Sequence, residues 1–92
     1  MEAAEEARWQ ELATLYRAGE TIDGIVIRAN VGGLIVDNGA HAFLPAGLIE
    51  TALERVEDLD RYVGRQVAVK IIELHAPSRN LVVSRRAVLE ST

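Results

Sequence analysis

The sequence predicts an all-β fold: a five-stranded antiparallel barrel with an N-terminal α-helix and a short helical connector between strands 3 and 4. Three observations predict it. Short runs rich in β-branched residues recur along the chain and are typical of strands. Asn38-Gly39 favours a hairpin, because a type I′ turn needs positive φ at both central residues. The length of 92 residues suits one small domain, and closing its sheet removes exposed edges.

A helix is expected over residues 3–17, with Gly19 as its stop. Trp9, Leu12 and Tyr16 follow the spacing of one apolar helical face. An isolated helix of this length is marginal in water. Trp9 and Tyr16 are therefore expected to pack on the body of the domain.

Five strands are expected, at residues 21–29, 33–37, 40–44, 66–75 and 81–84. Gly24 in the first strand marks a bend or a close backbone approach. Pro45 ends the third strand because proline lacks an amide donor. Five strands of this length match a small closed barrel of the OB type.

The segment between strands 3 and 4 has mixed polarity, and short helical pieces are expected around 47–52 and 58–63. It carries four acidic residues that are expected to form a solvated connector avoided by phosphate: Glu54, Glu57, Asp58 and Asp60. The chain after residue 84 is expected to start another helix.

Composition excludes several classes of protein. The chain has no cysteine, so a disulfide framework or a thiolate zinc site is impossible, and a cytosolic setting is favoured. The acidic start is unlike a signal peptide, and no apolar run approaches the roughly 20 residues that span a bilayer, so no membrane partner is expected.

The net charge of −4 is uneven. Residues 1–20 hold five acids and two arginines (−3), whereas the rest of the chain holds nine acids and eight bases (−1). The nearly neutral body argues against strong non-specific nucleic-acid binding, which depends mainly on neutralising phosphates. Nine of the ten basic residues are arginines, so a local basic face is still possible.

The sequence gives no sign of catalysis. Its two histidines and scattered serines form no catalytic triad at recognisable spacing, and no phosphate-binding loop of the G-x-x-x-x-G-K type is present. Asp37, His41 and His75 lack the spacing of metal ligands. We therefore expect a domain that is not an enzyme and that uses neither a cofactor nor a metal.

Three stretches together resemble the S-one domain: "GETIDGIVIRANVGGLIVDNGAHAFLPAGLI", "DLDRYVGRQVAVKIIEL" and "RNLVVSRRAVLE". That family is the RNA-binding OB-fold repeat named for the largest small-subunit ribosomal protein of bacteria and plastids. The resemblance covers about residues 20–90, and its combined spacing is highly specific. The leader "RWQELATLYRAGE" is similar to the helix that precedes an early repeat of that protein.

The resemblance implies a module that holds single-stranded RNA during translation, weakly and with little sequence preference. It implies three parts: a linker helix at 1–19, the OB domain at 20–86, and a tail or junction to a next repeat at 87–92. The parent would work in the cytoplasm, or in an organelle stroma or matrix. The residues expected to contact RNA are Arg28, Asn30, Val31, Leu34, His41, Phe43, His75, Arg79 and Arg85.

The chain departs from the family's pattern at several of these positions. Val31 and Leu34 stand where strong RNA binders of the family often carry aromatic residues, Pro45 where they carry histidine, and His75 where they carry aspartate. Arg79 matches the basic position in the turn that follows. The aromatic platform is thus largely absent. This favours a second role, docking on the small ribosomal subunit and its proteins or on adjacent repeats.

Alternatives stay open for single residues. Phe43 fits the barrel core, which needs a large side chain, better than an exposed stacking platform. His41 shares a strand face with Phe43 and is expected to be solvated. Gly32 and Gly33 bend the barrel or admit a nucleic-acid backbone. Arg85 binds phosphate or pairs with Glu73 or with acids of the leader.

Overall fold

The computed structural model describes residues 2–51 and 58–91. The helix α1 spans Glu2–Ala18 and is followed by the strands β1 (Thr21–Asn30), β2 (Gly33–Asp37) and β3 (His41–Pro45). The strands β4 (Gln66–His75) and β5 (Asn80–Ser84) precede the short helix α2 (Arg86–Leu89). Short 3₁₀ turns occupy Ala46–Leu48, Leu59–Tyr62 and Ala76–Ser78. Glu54, Glu57 and the end of the helical piece expected at 47–52 lie outside the described residues.

The five strands close into a barrel in the order β1-β2-β3-β5-β4, which confirms the expected fold. The pairs β1–β2, β2–β3, β1–β4 and β4–β5 are antiparallel, whereas β3 and β5 are parallel and pair through Phe43 and Val82. The expected antiparallel sheet therefore needs one correction, at the closing pair. β1 and β3 run in the same direction because both are antiparallel to β2. β1 and β5 do so because both are antiparallel to β4, so β5 is parallel to β3.

Bulges bend the two long strands. The register shifts between Val26 and Arg28 on β1, and between Ile71 and Glu73 on β4. A bulge bends its strand and increases the local twist, which a five-stranded sheet needs in order to close. Gly24 is a close approach, as expected, because a Cβ built there would stand 2.5 Å from Val36 Cγ1.

The β2–β3 turn differs from the expected type I′ turn. Asp37 pairs with His41, so three residues form the loop. Gly39 has a φ of +100°, but Asn38 does not have a positive φ. The Asp37 carboxylate accepts a hydrogen bond from the Gly39 N–H at 2.9 Å, a local bond that is typical of aspartate in turns.

Side chains from α1 and from the strands together form the core of the barrel. Its fully buried side chains are Leu12, Val26, Leu34, Val36, Leu44, Ile49, Val69 and Val83. Trp9 is also buried, at 4% exposure, which confirms that the leader helix packs on the barrel. Tyr16 is 39% exposed, so the same expectation is wrong for it. The buried helical face runs from Trp9 through Leu12 to the half-buried Leu15.

Among the described residues, the longest helix is too polar to cross a membrane.

Candidate nucleic-acid interface

Four side chains form a row across the outside of the barrel. Strand pairing aligns Arg28 on β1 with Ile35 on β2, Ile35 with Phe43 on β3, and Phe43 with Val82 on β5. Successive residues of a strand face opposite sides of a sheet, and the chain neighbours of Phe43 are buried in the barrel. Arg28, Ile35, Phe43 and Val82 therefore face outward, and we call them the outer row.

Phe43 lies at the centre of the outer row. The expectation that it fills the core is wrong, because Ala42 and Leu44 occupy the inward positions on β3 and leave Phe43 on the outer side, half-buried. Its ring covers Gly33 on the neighbouring strand. His41 shares the outer face of β3 and is exposed, as expected.

Leu34 cannot contact a ligand on this face. It is completely buried and pairs with Leu44 inside the barrel. The prediction of Leu34 as an RNA-contacting residue is therefore wrong. It rested on a position in the family's motif, whereas alternation along β2 turns Leu34 inward and its neighbour Ile35 outward.

The loop between β1 and β2 places Asn30 and Val31 at one end of the outer face. Val31 is 95% exposed, and its N–H donates to the side-chain oxygen of Asn30 at 2.8 Å. Gly32, with a φ of +85°, turns the chain, and its carbonyl accepts a hydrogen bond from Ala46 N–H at 2.8 Å. An apolar side chain thus projects from an anchored loop.

Arg28 is the cation available to a ligand at the outer row. Its side chain is exposed, and in the part of the chain that the structure describes no hydrogen bond or ion pair engages its guanidinium. It sits beside Ile35 on β2, and that strand separates it from the Phe43 ring on β3. A guanidinium in this position can contact a phosphate of the same RNA strand whose base lies on the Phe43 ring, two strands away.

Arg79 lies in the loop between β4 and β5, where helix α1 already engages it. Its guanidinium forms ion pairs with Glu5, at 3.4 Å, and with Glu6. It also lies over the ring of Trp9, 5.2 Å from the centroid. His75, at the start of the same loop, is exposed and contacts Ser78 Oγ through Nδ1 at 2.8 Å. The engagement of Arg79 by α1 was not foreseen from the sequence.

Arg85 belongs to a separate polar cluster on Glu50. Its guanidinium donates to Glu50 Oε1 at 2.9 Å and to the Ile49 carbonyl at 3.1 Å, and the Tyr62 hydroxyl donates to the other carboxylate oxygen. Arg86 Nε donates to the Glu50 carbonyl at 3.1 Å. The expected partners of Arg85, Glu73 and the acids of the leader, are therefore wrong. Arg85 ties α2 to the segment after β3.

The electrostatics of this cluster favour a charged Glu50. The Tyr62 hydroxyl, and then the Arg85 guanidinium, hold the pKa of Glu50 below its ordinary value of 4.5 although burial opposes them. Burial, and then the Glu50 carboxylate, raise the pKa of Tyr62 above 10.0. At neutral pH the cluster is thus a carboxylate held by a neutral phenol and a guanidinium.

Among the described residues, no three or more His, Asp or Glu side chains come together in a group that could hold a metal ion.

The closed five-stranded barrel places the chain in the class of OB-fold domains. The chain matches the family model of the S1 RNA binding domain over residues 15–86. It belongs to this family, the one that its sequence motifs resemble.

The curated relatives are ribosomal proteins. The chain is 46% identical over 87 residues to the small ribosomal subunit protein bS1 of Mycobacterium leprae, which covers 95% of the chain and 18% of the relative. It is 37% identical over 89 residues to bS1 of Chlamydia trachomatis, covering 97% of the chain and 15% of the relative. The chain therefore spans less than a fifth of the length of these relatives.

Solved structures show the same fold. One match is the a/eIF2alpha-aDim2p-rRNA complex from Pyrococcus horikoshii, with a TM-score of 0.67 and 22% identity over 79% of this chain and 46% of that chain. Another is GSP13 from Bacillus subtilis, with a TM-score of 0.64 and 20% identity over 80% of this chain and 58% of that chain. At these identities the likeness concerns the barrel alone.

Proposed function

We propose that this domain is a non-catalytic module that holds single-stranded RNA in translation, with weak affinity and little sequence preference. The observation that carries the proposal is the outer row, where the ring of Phe43 and the unpaired guanidinium of Arg28 share one face of the sheet. Membership of the S1 RNA binding domain family supports it.

The chemistry of the outer row sets the expected strength of binding. A base stacked on an aromatic ring contributes about 1–3 kcal/mol and tolerates any sequence. The outer row offers one such ring, half-buried, and Arg28 adds one phosphate contact. The other two arginines expected to contact RNA, Arg79 and Arg85, are engaged by carboxylates. One stack and one free cation make a weak site.

The relatives suggest the setting. Because they are small-subunit ribosomal proteins that are several times longer than this chain, we place the domain in a longer protein with adjacent repeats. The parent would bring messenger RNA to the small ribosomal subunit, in the cytoplasm or in an organelle stroma or matrix.

A second function, protein docking, is favoured by exposed aliphatic side chains. Val31 is 95% exposed at its loop tip, and Ile25 and Ile27 on β1 are 43% and 41% exposed. Such residues offer neither a ring for a base nor a charge for phosphate, but they suit a protein interface. The partner would be the small ribosomal subunit and its proteins or a neighbouring repeat.

Amide NMR separates the two functions. The domain is titrated with a short pyrimidine-rich RNA at about 50 and 150 mM salt, a range in which binding to phosphates weakens visibly. RNA binding should shift the amides of Arg28, Ile35, His41, Phe43 and Val82, and the shifts should shrink at the higher salt. The amides around Tyr62, in the Glu50 cluster, serve as the internal control. An unchanged spectrum at millimolar RNA would contradict RNA binding and leave docking as the function to test.

A further inference from the structure

We infer that helix α1 is a built-in competitor of RNA: the carboxylates of Glu5 and Glu6 occupy the guanidinium of Arg79, and an RNA phosphate reaches Arg79 only by displacing them. The inference rests on the proposed RNA binding. It adds that the domain's own helix α1 limits this binding.

The contacts of Arg79 carry this inference. Its guanidinium faces Glu5 and Glu6 on α1, donates to the Ala76 carbonyl at 3.2 Å, and lies over the ring of Trp9. The Arg79 side chain is still 38% exposed, so the carboxylates act by occupying its N–H donors and not by enclosing it, and a phosphate gains those donors when the carboxylates leave. The Glu6 contact joins residues 73 positions apart in the sequence, so it exists only when α1 is docked on the barrel.

Docking of α1 is secured independently of these charges. Trp9 and Leu12 are buried in the barrel core, and Arg8 Nε donates to the Asn38 carbonyl in the β2–β3 turn at 2.8 Å. These contacts place the first turns of α1 beside the β4–β5 loop whether or not Arg79 is paired. The two carboxylates therefore stay close to Arg79 even when they release it.

The charge of the leader matches the role of a competitor. Residues 1–20 carry a net charge of −3 from five acids and two arginines. Glu5 and Glu6 both repel an approaching phosphate and neutralise the cation that would attract it. Because their side chains are 52% and 58% exposed, their ion pairs are screened by water and salt and can be displaced by a polyanion. The competition is thus reversible.

The test compares two double variants with equal charge changes. In E5Q/E6Q the carboxylates facing Arg79 are neutralised, whereas E11Q/E20Q neutralises two exposed carboxylates of the leader that do not contact Arg79. Of these, Glu11 pairs with Arg8 at 3.9 Å, so the control also reports the effect of releasing a different arginine. Neither variant alters Trp9 or Leu12. Binding of a pyrimidine-rich RNA is measured by fluorescence anisotropy over a salt series. We expect E5Q/E6Q to bind about three- to tenfold tighter than E11Q/E20Q at low salt. The salt dependence should steepen by about 0.7, the slope of one added single-strand phosphate contact.

Adding R79Q to E5Q/E6Q should remove this gain, because the released cation is then absent. Equal affinities of E5Q/E6Q and E11Q/E20Q, with measurable binding by the unmodified domain, would overturn the competition and leave RNA binding standing. A gain that survives R79Q would overturn it too, since the effect would then be general repulsion. If neither the unmodified domain nor any variant binds RNA, both the proposed function and the competition are wrong. Binding by E5Q/E6Q alone would support the competition in its strongest form.

Discussion

The ring of Phe43 on β3 covers the backbone of Gly33 on β2. A Cβ built on Gly33 would stand 2.8 Å from the ring carbons Cε1 and Cζ and 2.4 Å from the Leu44 carbonyl oxygen. Both distances are shorter than real Cβ contacts. Because Gly33 has no side chain, the Phe43 ring can lie directly over the sheet at this position. In this arrangement an aromatic residue compensates for a glycine on a neighbouring strand.

Gly33→Ala should lower the free energy of unfolding by about 1–3 kcal/mol, because the new methyl group must move the Leu44 carbonyl or the Phe43 ring. Urea unfolding of the variant measures this. Gly47→Ala is the matched control, since a Cβ at Gly47 meets nothing within 4 Å. Its change should stay within about 0.5 kcal/mol. Equal stabilities of the two variants would contradict the packing of Phe43 over Gly33.

Phe43→Ala should weaken RNA binding about 5- to 150-fold, which corresponds to the loss of one stacked base. Anisotropy titrations with the same RNA measure this, and unfolding curves confirm that the variant is folded. Tyr16→Ala removes an aromatic side chain that is 39% exposed on α1 and should leave the affinity unchanged. Similar losses in both variants would show that the outer row has no special part in binding.

Leu12→Ala should destabilise the domain by about 2–5 kcal/mol, because its side chain is completely buried between α1 and the barrel. Thermal or urea unfolding of the variant tests this. Tyr16→Ala again serves as the control and should cost far less. A small loss of stability in Leu12→Ala would mean that residues 1–19 form a separable linker, as the expected domain boundary at residue 19 implies.

Glu50 should make the stability fall in acid. Its folded-state pKa is lowered from 4.5 by the Tyr62 hydroxyl and then by Arg85, so its contribution is complete above 4.5 and is lost as the pH falls through the folded-state pKa. Glu50→Gln should therefore lower the stability at neutral pH and flatten the decline in acid. Urea unfolding at a series of pH values measures both effects.

Glu73→Gln is the control for this pH series, because it removes an exposed carboxylate whose one hydrogen-bond donor among the described residues is Asn80, at 3.1 Å. Its acid decline should match that of the unmodified domain. Tyr62 adds an alkaline limit: its raised pKa means that its contribution is present below 10.0 and is lost as the pH rises through the folded-state value. An unchanged acid decline in Glu50→Gln would contradict the role of the cluster.

Local patterns in the sequence predicted the strands well. The alternation of Val67, Val69 and Ile71 identifies the inner face of β4, and all three are buried. Gly24 and Pro45 have the roles that their backbone chemistry dictates. Period-two alternation reports the faces of a strand directly, and glycine and proline mark close approaches and strand ends by their own backbone chemistry.

The candidate site was harder to predict because it depends on contacts between distant segments. Whether Phe43 faces inward or outward follows from the barrel register, and its pairing with Val82 involves a parallel strand that the sequence did not indicate. The partners of Arg79 and Arg85 come from α1 and from the segment after β3. Charge patterns suggested pairing but could not choose the partners, since exposed acids are common along the chain.

The parallel joint between β3 and β5 would link the proposed RNA binding to opening of the barrel, because Phe43 belongs to both. This joint pairs through Phe43 and Val82, whereas each antiparallel neighbour pairs through five positions. Local opening is easiest where few ladder positions are paired, so we expect this joint to open first and its amide hydrogens to exchange fastest within the barrel. A base resting on Phe43 would hold the joint closed. RNA would then slow hydrogen exchange along β5 beyond Val82, at positions outside the outer row.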